Sequence, residues 1–501
     1  MSAQSTAHSF KANATGAMAD AQLTGNLKAV RQNFIDKRAK AASELPEFEA
    51  LRENAKEIKN HTLAHLDLYL EKYEAKVTAS GGYVHFAADA EEARQITLDI
   101  CRKVGAKTVT KGKSMITEEV GLNAFLEANG VTPVETDLGE YIIQLRGEAP
   151  SHIIAPAVHL NKEQIESDFR RVHTHLDANR DLTEKTSLLT EARAVLREKF
   201  LVADVGITGA NFLIAETGTS IIVTNEGNGD LTQVLPKVHV VMASIEKMVP
   251  TLEDVSQILR LLARSATGQE MSVYTTLSTG PRRKGAFSSE VDAGSREENA
   301  TKKEARAQAR GDVDGPEEYH VIILDNGRSA MLGGEFQDML RCIRCAACMN
   351  HCPVYHQIGG HAYGWIYPGP MGSVLTPSLI GVDEAGHLPN ASTFCGRCES
   401  VCPMKIPLPK MMRHWREREF ERNLNPAIAR YGLGLWAFFA RRPKLYALST
   451  RIAMKAMRLL GRGKGRFTWL LGASAWTKYR DFAVPEGETF QAKWKRERGV
   501  K

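Results

Sequence analysis

The sequence predicts an α/β domain, then a small cysteine-rich helical domain, then a basic and largely helical C-terminal region. Short apolar runs alternate with amphipathic segments over the first two thirds of the chain, as in a sheet covered by helices. Seven of the eight cysteines lie within 61 residues, and 23 basic against 7 acidic residues follow residue 402. These observations predict four regions, residues 1–75, 76–330, 331–410 and 411–501.

The first 75 residues are rich in Ala, Lys and Glu and carry apolar side chains at helical spacing. Two segments illustrate the pattern, LKAVRQNFIDKRAKAASEL and FEALRENAKEIKNHTLAHLDLYLEKYEAKV. They predict two or three amphipathic helices.

Strand and helix signals alternate in residues 76–330. The predicted strands include GGYVHFA, TVTKGKS, VTPVETD, YIIQL, KVHVVMASIEKMV, MSVYTTLST and EYHVIILDNG. The predicted helices include EEARQITLDICRKVG, EEVGLNAFLEANG and EDVSQILRLLARSA. NFLIAE and SIIVTNEG flank a Thr-Gly-Thr turn and predict a buried hairpin. The charged run from Gly285 to Pro316 predicts a mobile loop within this domain.

The composition is typical of a globular protein, with 43% hydrophobic and 25% charged residues. No run approaches the ~20 apolar residues of a membrane-spanning helix, and no secretory signal is visible. We therefore expect a cytoplasmic protein. In that reducing compartment, clustered cysteines bind metal more often than they form disulfides.

The first cysteine motif, CIRCAACMNHCP, has the spacing C-x2-C-x2-C-x3-C-P. In such a run three thiolates from one tight turn bind one cubane cluster, and the fourth binds a second cluster. Zinc is the alternative, but zinc sites usually combine two C-x2-C pairs. The spacing therefore favours iron–sulfur clusters, in which soft thiolates hold iron.

The second motif, FCGRCESVCP, has three cysteines, and alignment on Cys-Pro puts Ser392 opposite Cys342. Reciprocal pairing predicts a [4Fe–4S] cluster 1 with ligands Cys342, Cys345, Cys348 and Cys402. Cluster 2 is predicted to have ligands Cys352, Cys395 and Cys398. It is either [3Fe–4S], or [4Fe–4S] with a fourth ligand that is not a cysteine. That ligand would be an oxygen such as that of Ser392 or of water, a nearby histidine, or a partner residue.

Two clusters with reciprocal ligands are typical of an electron relay between a two-electron donor and an acceptor. Purely structural clusters are the alternative, although one cluster would be enough to staple the fold. The stretch HQIGGHAYGWIYPGPMG between the motifs is expected to limit solvent access. We expect His351, His356 and His361 to form hydrogen bonds near the clusters or to face solvent, and not to bind iron.

The combined motifs resemble the lactate utilization protein B family over nearly the whole chain from about residue 20. The resemblance rests on KSMITEEVGLN, GANFLIAETGTSIIVTNEGNGDL, LPKVHVVMASIEKMVP, the two cysteine motifs and the basic helical tail. It implies that the α/β domain is a LUD domain, similar in fold to sugar-phosphate isomerase and CoA-transferase domains. It also implies the same seven cluster ligands.

The resemblance further implies an iron–sulfur electron-transfer subunit of a three-component, flavin-independent complex. That complex oxidises L-lactate to pyruvate without NAD and passes the electrons to the respiratory chain. The implied partners are a cysteine-rich subunit similar to heterodisulfide reductase and a small LUD-domain protein. Whether this chain is itself catalytic stays open.

A polar, glycine-containing stretch, AETGTS followed by NEGNGD, is a candidate anion site. Its lining residues would be Glu216, Thr217, Thr219, Asn225 and Glu226. A plain hairpin turn with nearby exposed acids is the favoured alternative.

A second polar stretch, KSMITEE, contains Lys113, Ser114 and Glu118. These residues would form either part of a site or a turn with a helix N-cap and an acidic first turn. The sequence shows no catalytic pattern, so we predict no catalytic residue.

The tail carries a net charge of +16 and the rest of the chain −10. RRPK and WKRER predict solvated helix faces, and GLGLWAFFA suits docking on a partner or on the inner face of a membrane. No nucleic-acid recognition fold is visible.

Two further functions stay open. The α/β domain would itself bind and oxidise a small hydroxy acid or other anion, with the clusters as acceptors, or the chain would be a ferredoxin-like carrier fused to a ligand-sensing module.

Overall fold

The computed structural model describes residues 5–112, 114–282, 315–470, 474–477 and 480–499. It contains two compact units, Met1–Arg418 and Glu419–Lys501. Lys113 and all but the last two residues of the predicted loop from Gly285 to Pro316 lie outside the described residues.

Four α-helices precede the first strand, so the prediction of two or three was too low. They are α1 (Phe10–Ala19), α2 (Ala21–Ser43), α3 (Phe48–Ala64) and α4 (Leu66–Ala79), after a 3-10 turn at Ala7–Ser9. The long predicted segment from Phe48 is divided at His65, where φ of −129° and ψ of 36° leave helical geometry. Sequence periodicity continues across this residue, and the backbone does not.

A six-stranded sheet forms the centre of the α/β domain, and all its strand pairs are parallel. The strands are β1 (Tyr83–Ala87), β2 (Thr108–Gly112), β3 (Thr132–Glu135), β4 (Val205–Gly209), β7 (Val238–Ser244) and β10 (Glu318–Leu324), in the order β1-β10-β7-β4-β2-β3. Alternate side chains of β10 are buried on opposite faces, since Val321 and Ile323 belong to one core and Ile322 and Leu324 to another. Burial on both faces explains why the strands read as continuous apolar runs.

A second sheet has four strands, β5 (Phe212–Ile214), β6 (Thr219–Thr224), β8 (Met248–Val249) and β9 (Tyr274–Ser278). Their order in the sheet is β8-β5-β6-β9. β5 and β6 pair antiparallel around the predicted Thr-Gly-Thr turn, which confirms the hairpin.

Eight helices lie between β1 and β9 in the described part of the domain. They are α5 (Ala90–Lys103), α6 (Met115–Glu119), α7 (Leu122–Ala128), α8 (Leu138–Arg146), α9 (Lys162–Val172), α10 (Lys185–Val202), α11 (Asn228–Val234) and α12 (Leu252–Ala266), with a 3-10 turn at Ile245–Lys247. The predicted helix EEVGLNAFLEANG is two helices, because Gly121 has φ of 65°.

The predicted strand YIIQL is wrong, since these residues belong to α8. The Asp137 side chain accepts hydrogen bonds from the backbone amides of Gly139 and Glu140 and so caps the helix. Tyr141 and Ile142 are buried in a core with Phe169 of α9. A short apolar run without alternation fits a buried helix and a buried strand equally well.

Short helices dominate the cysteine-rich region. They are α13 (Ala347–Asn350), α14 (Tyr355–Ile358), α15 (Gly369–Ile380), α16 (Val382–Ala385) and α17 (Arg397–Ser400), followed by α18 (Leu408–Glu421), with 3-10 turns at Ser329–Met331, Gln337–Arg341, His361–Tyr363 and Leu388–Ala391. The segment GEFQDMLRCIRC, which leads into the first cysteine motif, contains one 3-10 turn, Gln337–Arg341. Arg344 has φ of 59°, so the chain leaves helical geometry where the cysteines begin.

The described residues of the second unit form helices and one short pair of strands. They are α19 (Ala427–Ala440), α20 (Pro443–Leu460), β11 (Arg466–Phe467), α21 (Ser474–Thr477), β12 (Phe482–Ala483) and α22 (Phe490–Arg498). Among the described residues, no helix combines the length and apolarity needed to cross a membrane.

Gly218, in the hairpin turn, is expected to resist substitution. Its φ is +69°, and an added Cβ would lie 2.6 Å from the backbone nitrogen of Val77. Gly218→Ala should therefore destabilise the protein by about 2–4 kcal/mol through backbone strain and overlap together. Gly105→Ala is the matched control, because φ there is +63° but no atom lies within 4 Å of the added Cβ. Thermal unfolding of both variants tests this, and equal melting temperatures would contradict it.

Candidate metal centre

The two cysteine motifs have the same backbone conformation. Cys345 lies between Arg344 and Ala346, with φ of 59° and 60°, and Cys395 lies between Phe394 and Gly396, with φ of 52° and 75°. A four-residue helix follows in each motif, α13 after the first and α17 after the second. Non-glycine residues rarely adopt positive φ, so the repeat reflects a geometric requirement shared by both motifs.

One cavity collects the four cysteines predicted for cluster 1. Cys342, Cys345 and Cys348 come from the first motif, and Cys402 comes from the second. Cys345 and Cys402 are only 8% and 7% exposed, and Cys342 and Cys348 are half-buried. The remaining wall is mostly apolar, with side chains such as Met339, Ile343, Met371, Met404, Ile406 and Leu408. None of the four cysteines is exposed, so the cavity is shielded from water.

A second cavity collects the three cysteines predicted for cluster 2, Cys352, Cys395 and Cys398. Ser392 also lines it, and no described residue in its wall is a histidine. The Ser392 hydroxyl accepts a hydrogen bond from the Phe394 amide at 3.2 Å. Cys395 is exposed, so this cavity lies close to the protein surface.

The chemistry of both cysteine sets fits iron–sulfur clusters. All seven cysteines are free thiols. Burial raises the pKa of Cys402 to about 11 and that of Cys398 to about 12, because a buried thiolate lacks solvation. Several thiolates can share such a cavity only when a bound cation compensates their charge, as iron does. That these residues bind iron stays a prediction.

The three nearby histidines make hydrogen bonds with backbone carbonyls. His351 Nδ1 pairs with the Ala347 oxygen at 2.9 Å, and His356 Nε2 pairs with the Asn350 oxygen at 2.8 Å. His361 Nε2 pairs with a backbone oxygen of the α/β domain, that of Ala149, at 2.7 Å. Burial lowers the pKa of His351 to about 4, so this ring is neutral at physiological pH.

Two arginines of the N-terminal helices hold the end of the second cysteine motif. Arg38 of α2 donates to the Val401 carbonyl at 2.8 Å. Arg52 of α3 donates to the Cys402 carbonyl at 3.1 and 2.7 Å and to the Ser400 carbonyl at 2.9 Å. These bonds fix the backbone that carries Cys402 into the first cavity.

A buried ion-pair network joins the α/β domain to the cysteine-rich region. Arg328 donates to both carboxylate oxygens of Glu119, at 2.8 and 2.6 Å, and its Nε lies 3.0 Å from Glu246. Arg344, between two of the cysteines predicted for cluster 1, pairs with Glu246 at 3.2 Å, and Tyr367 donates to Glu119 at 2.6 Å. Arg328 and Glu119 are 0% exposed and Glu246 is 2% exposed, so these charges depend on one another.

No direct signal for this network is visible in the sequence. The one available indication was position, because Glu246 follows the apolar strand β7 at its carboxyl end. Arg344 lies inside the cysteine motif, where the cysteines themselves are the stronger signal.

The candidate anion residues of the hairpin do not converge on one site. Glu216 accepts from the Leu252 amide at 3.3 Å, and the Thr217 and Thr219 hydroxyls bond at 2.7 Å. Asn225 donates to Gln269 at 3.3 Å, and Glu226 also has an interaction partner. The turn packs on the carboxyl end of α4, as the contact of Gly218 shows. The hairpin-turn alternative is therefore confirmed.

The second candidate stretch likewise forms local structure. The Ser114 hydroxyl accepts from the Thr117 amide at 3.3 Å and caps α6, as the N-cap alternative predicted. Glu118 accepts from the buried ammonium of Lys111 at 2.9 Å. Ser114 nevertheless lines a cavity at the edge of the sheet.

Comparison with known proteins gives two domain matches and many full-length relatives. Residues 70–324 match the LUD domain, and residues 338–406 match the 4Fe-4S dicluster domain, so the chain carries an iron–sulfur domain. "Lactate utilization protein B" of Macrococcus caseolyticus is 42% identical over 96% of each chain. The protein of the same name from Bacillus licheniformis is 41% identical over 96% of this chain and 95% of that one. A crystal structure of a DUF162 family protein from Deinococcus radiodurans covers 52% of this chain and 98% of that one, at 14% identity and a TM-score too low to bear on the fold, 0.25.

Proposed function

Because the chain belongs to the lactate utilization protein B family, we propose that it is the iron–sulfur electron-transfer subunit of an L-lactate oxidising complex. In this proposal L-lactate becomes pyruvate, and the electrons continue to the respiratory chain. Iron–sulfur clusters supply the one-electron chemistry that such a relay needs. The observation that carries the proposal is the grouping of seven cysteines around two cavities, four around one and three around the other.

The two cavities suit different positions in a relay. Cys342, Cys345, Cys348 and Cys402 would hold a [4Fe–4S] cluster in the shielded cavity. Cys352, Cys395 and Cys398 would hold a second cluster, either [3Fe–4S] or [4Fe–4S] completed by Ser392, water or a partner residue. The exposure of Cys395 supports this second site as the one that exchanges electrons with a partner, because electron transfer needs close approach.

We also propose the two partner subunits of the family, one cysteine-rich and similar to heterodisulfide reductase, the other a small LUD-domain protein. The second unit supplies a suitable surface in α19. Its Ile428, Tyr431 and Trp436 side chains are 89%, 79% and 61% exposed, which favours contact with a partner or with an anionic membrane surface beside the basic residues of the tail.

One observation favours a second candidate function, in which the α/β domain itself binds the substrate. A cavity at the carboxyl edge of the parallel sheet shares Arg344 and Ile153 with the cavity of the four cysteines. A ligand there would contact the same two side chains that border the cavity of the first cluster.

Anaerobically purified protein is expected to contain about seven or eight iron atoms per chain, for two clusters. EPR of the oxidised protein distinguishes the two possibilities for the second site, because a sharp signal in that state indicates [3Fe–4S]. Ser392→Cys should then convert that cluster to [4Fe–4S] and remove the signal.

L-lactate should reduce the clusters only after the partner subunits are added. Reduction by lactate without partners would overturn the relay proposal in favour of the second candidate.

A further inference from the structure

A cavity lies where three neighbouring parallel strands end. Ser114 follows β2, Asn211 follows β4 and Lys247 follows β7, and all three line the cavity. Arg344 and Tyr367 of the cysteine-rich region complete the wall. In open α/β sheets, ligands bind in crevices at the carboxyl ends of the strands. The position of this cavity therefore indicates a ligand site.

The wall of the cavity combines a few polar groups with apolar side chains. The apolar residues include Met115, Ile116, Ile154, Val223 and Met242. The side-chain Oδ1 of Asn211 accepts a hydrogen bond from the Val223 backbone amide at 2.9 Å. This bond fixes the side chain and leaves the Nδ2 hydrogens of Asn211 for another acceptor. Small-molecule sites typically have this composition.

One cation of the cavity has no partner in the part of the chain that the structure describes. Arg344 and Lys247 are the charged side chains that line the cavity, and Arg344 pairs with Glu246. Glu246 also pairs with Arg328, and the Lys247 ammonium makes no hydrogen bond or ion pair among the described residues. A partly buried cation without a partner is unfavourable. The Lys247 ammonium is therefore open to an anion in this cavity.

We propose that the cavity binds a small monocarboxylate, with Lys247 as the main cation and the Asn211 amide as a second donor. One unpaired ammonium and one free amide match one carboxylate, and the apolar wall suits a short aliphatic remainder. Arg344 adds only its positive charge at a distance, because its Nη atoms already contact Met371 and Glu246, at 3.2 Å each. The choice of a hydroxy or keto acid rests on the proposed function in lactate utilization, whereas the choice of a monocarboxylate rests on Lys247, Asn211 and the apolar wall.

The test measures binding of L-lactate and of pyruvate to the oxidised holoprotein by anaerobic calorimetry, with neutral 1,2-propanediol as the control ligand. Lys247→Gln should weaken binding of the acid at least about tenfold, as expected for loss of a charge-assisted hydrogen bond. Asn211→Asp keeps the acceptor for Val223 and adds a negative charge, so it should weaken binding similarly. Lys237→Gln should bind like the unmodified protein, because Lys237 is exposed just before the opposite end of β7.

Reduction potentials of the same four proteins separate this proposal from the proposed function. If neither acid binds while the clusters still pass electrons, the carboxylate site is wrong and the relay stands. If Lys247→Gln changes a cluster potential but not acid binding, the lysine balances cluster charge and the site is also wrong. If the acid binds as expected but the clusters pass no electrons, the site stands and the relay fails. Equal weakening by Lys237→Gln would likewise overturn the site.

Discussion

Cys402→Ala is expected to remove the first cluster and leave the second, although Cys402 belongs to the second motif. Its side chain lines the cavity of Cys342, Cys345 and Cys348. Cys352→Ala should have the reverse effect, because Cys352 ends the first motif but lines the cavity of the other three cysteines. Each variant should keep about half of the iron.

Iron analysis and EPR of the reduced protein measure this crossed pattern. Each variant should lose one of two distinguishable EPR signals, and the two variants should lose different ones. Cys101→Ala is the matched control, since Cys101 is a buried free thiol of α5 that lines neither cavity. It should keep the iron content of the unmodified protein. Loss of the first cluster in Cys352→Ala, with retention in Cys402→Ala, would show that each motif fills its own cavity.

The cysteine grouping was predictable because ligand spacing is a local property of the chain. Alignment of the two motifs on Cys-Pro needs no knowledge of the fold, and the positive φ values at Arg344 and Phe394 repeat at the aligned positions. The sheet was predictable for a related reason. Strands buried on both faces, such as β7 and β10, are continuous apolar runs, and their many Val and Ile residues favour a strand over a helix.

The buried network was not predictable, because its partners are far apart in sequence. Arg328 and Glu119 are separated by 209 residues, and Arg344 and Glu246 by 98. No local pattern marks a glutamate whose partner depends on which strands become neighbours. The helix α8 was not predicted for a different reason. The four apolar residues in YIIQL satisfy helix and strand patterns alike, and only the cap at Asp137 distinguishes the helix from a strand.

Glu246→Gln is expected to lower the free energy of unfolding by about 3–5 kcal/mol at neutral pH. The substitution removes the carboxylate that lies between the guanidinium groups of Arg328 and Arg344, and both arginines then stay buried with less compensating charge. Glu44→Gln is the matched control, because Glu44 forms an exposed pair with Lys40 at 3.7 Å. That change should cost less than about 0.5 kcal/mol. Thermal and urea unfolding of the holoproteins measure both effects.

The destabilisation by Glu246→Gln should also depend on pH. Burial alone would raise the pKa of Glu246, but Arg328 and Arg344 lower it to about 2 from its ordinary 4.5. A carboxylate with a depressed pKa stabilises the fold fully above the unfolded pKa and loses this contribution as pH falls towards the folded one. The difference between the unmodified protein and Glu246→Gln should therefore be constant above about pH 5 and shrink towards pH 3. Since both proteins carry the same clusters, acid damage to the clusters largely cancels in the difference. A difference that stays constant down to pH 3 would mean that Glu246 is not held as a carboxylate between the arginines.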